Sequence, residues 1–90
     1  MSEKILFLTG KLAERQLRRI LNSMKPEFRY KINQIGVNVA ALMSENIIMR
    51  RLDKNQDADR IIVPGKFRGS LKKLSRYFNR PVERGPDDIS

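Results

Sequence analysis

Short apolar runs alternate along this chain with stretches of helical period, and few architectures accommodate that alternation. Ile5-Leu6-Phe7-Leu8 is a continuous apolar run closed by Thr9-Gly10-Lys11, which suits a strand buried on both faces. From Leu12 the period changes. Ala13, Leu17, Ile20, Leu21 and Met24 recur at helical spacing with Glu14, Arg15, Arg18 and Arg19 between them, until Pro26 stops the helix. Phe28, Tyr30 and Ile32 then alternate with Arg29, Lys31 and Asn33, a strand with one wet face that belongs at a sheet edge. Residues 35–43 are small and apolar, interrupted by Gly36 and Asn38, and read equally as an extended connection or a helical turn.

Ser44 reads as a helix N-cap with Glu45 in the first turn, and Ile47, Ile48, Arg51 and Leu52 continue that helix towards Asp53. Asn55 to Asp59 is a polar turn. Ile61-Ile62-Val63 is a buried strand closed by Pro64-Gly65. Ser70 caps a helix with Leu71, Leu74 and Phe78 on one face, and Asn79 is suited to the left-handed turn that ends it. Pro81-Val82-Glu83 is a last short strand. The spacing predicts strands over 4–8, 28–34, 60–63 and 81–83, with helices over 12–24, 45–53 and 70–78.

Strands joined by connections of helix length imply a parallel sheet covered on both faces. The predicted class is α/β, a three-layer sandwich with a small four-stranded parallel sheet, Rossmann- or flavodoxin-like. Right-handed crossovers restrict the strand order, and placing the two most apolar strands centrally gives 2-1-3-4. Ninety residues make one domain, expected over 1–86, with 87–90 a tail or the start of a linker to a further domain.

The chain has no cysteine and no histidine, which removes disulfides, thiolate metal sites, cysteine nucleophiles and the commonest general base. No catalytic residue, metal site or cofactor is expected. No apolar run approaches the roughly 20 residues of a membrane span, so the expected partner is not a membrane and the expected compartment is the cytoplasm. The net charge of +9 is uneven: residues 1–34 carry +5, residues 35–64 are neutral and residues 65–90 carry +4. Such a balance attracts phosphate-bearing or other anionic small molecules, acidic partners or nucleic acid.

Ligands of open parallel sheets bind at the carboxyl ends of the strands, near the reversal of strand order. Loops 9–11, 64–70 and 84–86 should meet there. Gly10, Gly65 and Gly69 permit close backbone approach, Thr9 and Ser70 flank them, and Lys11, Lys66, Arg68 and Arg84 add positive charge. These nine residues form the candidate anion site, although tight turns alone also explain the glycines. Neither loop carries a nucleotide-binding signature. Asp53, Asp57 and Asp59 are explained by the polar turn. Phe67, Tyr77 and Phe78 offer stacking surfaces for bases, with core packing the stronger reading for Phe78. Arg15, Arg18 and Arg19 read as a solvated helix face or as a nucleic-acid contact.

Ile5-Leu6-Phe7-Leu8-Thr9-Gly10-Lys11-Leu12-Ala13, Val39-Ala40-Ala41-Leu42-Met43-Ser44, Asp59-Arg60-Ile61-Ile62-Val63-Pro64-Gly65 and Pro81-Val82-Glu83-Arg84-Gly85-Pro86-Asp87-Asp88 form four blocks in order. Together they resemble the amino-terminal domain of dihydropteroate synthase-like proteins associated with tetrahydromethanopterin-type pterin biosynthesis. Ser44-Glu45 stands where that family has Thr-Pro, Ser70 where an acidic residue is common, and Asn79 where glycine is usual. The resemblance implies a non-catalytic accessory or ligand- or partner-binding domain, with a dihydropteroate synthase-like barrel as its partner in cis or trans. It assigns no role to individual residues of this domain. A small basic nucleic-acid-binding module is the alternative.

Overall fold

The computed structural model describes residues 3–39 and 42–85. Its elements run β1 (Lys4–Thr9), α1 (Glu14–Met24), β2 (Arg29–Gln34), α2 (Glu45–Arg51), β3 (Arg60–Val63), α3 (Leu71–Phe78) and β4 (Val82–Arg84). The four strands among the described residues form one sheet in the order β2-β1-β3-β4, and every neighbouring pair is parallel. The chain is therefore an α/β fold with the expected strand order. The predicted tail at 87–90 lies outside the described residues.

Each strand side has its own core. Ile5 and Phe7 point to the face covered by α1, where they meet Leu17 and Leu21. Leu6 and Leu8 point the other way, joining Ile48 of α2, Ile61 and Val63 of β3, and Leu74 and Phe78 of α3. The unbroken run in β1 thus reflects burial on both sides. β2 lies at the edge, and only one of its faces is apolar. Tyr30 and Ile32 pack towards α1 with Phe28, while Arg29 and Lys31 are exposed on the opposite side. Phe7, Phe28 and Tyr30 form a ring cluster with centroids 6.2 to 6.4 Å apart.

The helix ends follow from local chemistry. Ser44 Oγ accepts from Ile47 N at 3.3 Å, and Ser70 Oγ accepts from Lys73 N at 3.2 Å. Asn79 takes the left-handed conformation at φ 54° and closes α3, while Lys25 does the same for α1 at φ 47°, just before Pro26. All three helices are shorter than the periodicity predicts, α3 only by Ser70, which is its cap. α1 begins at Glu14, because the amides of Lys11 and Leu12 bond outside the helix to Val37 O and Asn38 O. α2 ends at Arg51, where Leu52 turns extended. Met24, expected on the apolar face of α1, is 61% exposed at the helix end.

Candidate functional site

The segment linking β2 to α2 decides what the carboxyl edge of the sheet can do. It leaves β2 at Ile35, whose amide bonds Thr9 O at 3.0 Å, and passes alongside the loop after β1. There Val37 O accepts from Lys11 N at 2.7 Å and Asn38 O accepts from Leu12 N at 3.1 Å. Gly10 makes this approach possible: a Cβ on it would lie 2.9 Å from Asn38 O and 3.1 Å from Val37 O. The amides of Lys11 and Leu12 are thus engaged by carbonyls of the same chain.

The segment leads into Glu45, the first residue of α2, which reaches the loop after β3. Glu45 Oε2 accepts from Ser70 N at 3.2 Å, at the start of α3. A carboxylate there suits the positive end of the helix. Gly69 leaves the space for it, since a Cβ at that position would overlap Glu45 Oε2 and the ring of Phe67. α3 therefore carries an internal anion at its N-terminus. Neither Glu45 nor the carbonyls of Val37 and Asn38 were legible as occupants of this edge; the acidic position at the α2 start was the visible signal.

The nine candidate residues divide into four groups. Thr9 is fully buried, so its hydroxyl is not presented to a ligand, and Oγ1 finds no hydrogen-bond partner among the described residues. Gly10, Gly69 and Ser70 hold the internal contacts just described. Gly65, Lys66, Arg68 and Arg84 line one open depression of about 250 Å³, with Phe67 at its base. Arg84 is committed there: its Nε donates to Phe67 O at 2.9 Å and Nη2 to Gly69 O at 3.5 Å, tying β4 to the loop. Lys66 and Arg68 are exposed. Lys11 lines a different depression, of about 420 Å³, with Asn33, Gln34, Gly36 and Arg51. The two loops share the edge without converging on one cavity. At the reversal of strand order, Phe7, Leu17, Ile62 and Pro64 leave only about 10 Å³.

The same edge exposes apolar surface. Leu12 is 72% exposed, Leu42 61% and Val39 42%. The three are linked by the backbone, because Leu12 N bonds Asn38 O and Leu42 N bonds Val39 O at 3.1 Å.

Elsewhere, the expected base-stacking surface is absent in the form proposed. Phe67 and Phe78 are each 1% exposed, and Tyr77 Oη donates to Met49 O and Leu52 O at 2.9 Å, capping the end of α2. Arg15, Arg18 and Arg19 line a shallow exposed depression with Asn22 and Ser23, and Arg18 pairs with Glu14 at 3.0 Å. Among the described residues no group of carboxylates is placed to hold a metal ion, and no helix is long and apolar enough to cross a membrane.

No curated protein and no solved structure matches the chain. A family model does match, over residues 3–87, and the chain belongs to that family of unknown function, DUF6513.

Proposed function

We propose that this chain is a non-catalytic accessory domain that docks through the carboxyl edge of its sheet against a dihydropteroate synthase-like barrel, in a cytoplasmic protein of pterin biosynthesis. The observation that carries the docking role is the exposure of Leu12, Val39 and Leu42, on backbone segments bonded to one another, at the edge where such folds hold ligands. The adjoining amides of Lys11, Leu12 and Ser70 already have partners within the chain. An edge with engaged amides and exposed apolar side chains favours a protein surface over a small anion. Lys11, Lys66 and Arg68 flank it and would steer an acidic partner surface. The pterin context rests on the sequence resemblance alone.

The test is a calorimetric titration of this domain into a separately purified dihydropteroate synthase-like barrel. Saturable binding is expected, weakened at least tenfold by Leu12→Asp with Leu42→Asp, both exposed positions, a loss on the order of 1.4 kcal/mol. A nanomolar complex with nucleic acid at physiological salt, and none with the barrel, would establish the alternative module instead.

A further inference from the structure

The opposite edge of the sheet carries a second site. On the side of the sheet covered by α2 and α3, the register pairs Lys4 of β1 with Arg29 of β2 and Leu6 with Lys31. β2 is an edge strand, so the positions of Arg29 and Lys31 stay exposed beside the buried Leu6. An open depression of about 270 Å³ results, with Leu6 and Ala58 on its floor and Lys4, Arg29, Lys31 and Asp57 around it. That volume lies just under the roughly 300–1,000 Å³ of ordinary ligand pockets, which sets the ligand as small.

The charge arrangement is unfavourable unless something answers it. Like charges directly opposite one another across a strand pair are destabilising, and Lys4 and Arg29 are such a pair. Part of the answer comes from the loop before β3. Asp57 Oδ2 lies 3.1 Å from Lys4 Nζ, and Asp59 Oδ2 accepts from the Lys4 amide at 2.9 Å. Arg80 stands on the far side, its Nη2 donating to Gln56 O at 3.2 Å. Asp57 is held only loosely, with its side chain 77% exposed, so the Lys4 pair is one that solvent screens.

We propose that this depression binds a small organic phosphate monoester. Lys4, Arg29 and Lys31 hold the phosphate, Leu6 and Ala58 take the apolar body, and Asp57 is the internal carboxylate that the phosphate displaces from Lys4. A dianion answers three cations lining one depression better than a single carboxylate does, and the apolar floor distinguishes an ester from the bare ion.

Phenyl phosphate is the probe, titrated into the labelled protein while amide shifts are followed, with inorganic phosphate and phenol as comparisons. Saturable shifts at Lys4, Leu6, Lys31 and Ala58 are expected, with weaker binding of inorganic phosphate and none of phenol. Asp57→Asn removes the competing carboxylate and should tighten binding by up to about five-fold, the value of one exposed ion pair. Arg29→Gln with Lys31→Gln should weaken it at least tenfold. Unsaturated shifts spread equally over Arg15, Arg18 and Arg19 would overturn the proposal, as would equal or weaker binding by Asp57→Asn.

Discussion

Gly69 shows how much of the carboxyl edge depends on one missing methyl group. Its Cβ position is claimed from two sides, by the carboxylate of Glu45 and by the ring of Phe67. Glu45 is a flexible side chain that gives way, but Phe67 is 1% exposed in the core and does not. Gly69→Ala is therefore expected to lower stability by about 1–3 kcal/mol, the usual range for overpacking, read as a lower urea midpoint at unchanged slope. Unchanged stability would mean that loop 65–70 sits elsewhere.

Asp57 gives the clearest pH signature among single residues. The Lys4 ammonium, through its hydrogen bond and its charge, holds the Asp57 carboxyl below the usual carboxylate range, with smaller contributions from Lys31 and Arg80. A carboxyl lowered in the folded state stabilises that state above its unfolded pKa. The contribution is lost as pH falls through the lowered folded value. Because the group is exposed, the stability change should be small, and the direct readout is the Asp57 carboxyl carbon shift in an acid titration. Lys4→Ala should move that midpoint up; an unchanged midpoint would separate the two residues.

Among the elements, the linker between β2 and α2 bonds most directly to the loop after β1 and was the least readable in the sequence. Strands and helices were legible because their chemistry is local. The apolar run of β1, the alternation in β2, the caps at Ser44 and Ser70 and the left-handed Asn79 each depend on neighbours within a few residues. The strand order followed from which runs were most apolar. The linker and the start of α2 were different, because Val37, Asn38 and Glu45 acquire their partners across the sheet edge, from Lys11, Leu12 and Ser70. No periodicity records such pairings. The candidate site was accordingly legible as a set of loops and glycines, while the internal groups that fill it were not.

Glu45 makes the linker's role testable. Glu45→Ala removes the acceptor of Ser70 N beside the α3 N-terminus and should cost about 1–2 kcal/mol, as expected for a charge-assisted hydrogen bond. Faster exchange of the Ser70 amide should accompany that loss. A variant as stable as the parent, with unchanged exchange at Ser70, would show that the carboxylate does not hold this helix start.

At the scale of the whole molecule, the two ends of one sheet differ in kind. At the carboxyl end the chain's own carbonyls and the Glu45 carboxylate engage the amides of Lys11, Leu12 and Ser70, and Leu12, Val39 and Leu42 are exposed. The amino end leaves Lys4, Arg29 and Lys31 around an open apolar floor. The net charge of +9 acts over both and should produce weak, salt-sensitive attraction to polyanions without base contacts. Parallel topology produces this division, because every strand starts at one edge and ends at the other.

The central claim is that linker carbonyls and the Glu45 carboxylate occupy the Lys11, Leu12 and Ser70 amides that an anion would use at the carboxyl end. Native-state amide exchange at Lys11, Leu12 and Ser70 tests it most directly, because only a bonded amide in these loops is slowed. Exchange at least roughly tenfold slower than in an unstructured chain is predicted for all three, and unchanged by millimolar phosphate. Free-chain exchange rates at these amides that become slow on adding phosphate would contradict the account and return loops 9–11 and 65–70 to service as an open anion site.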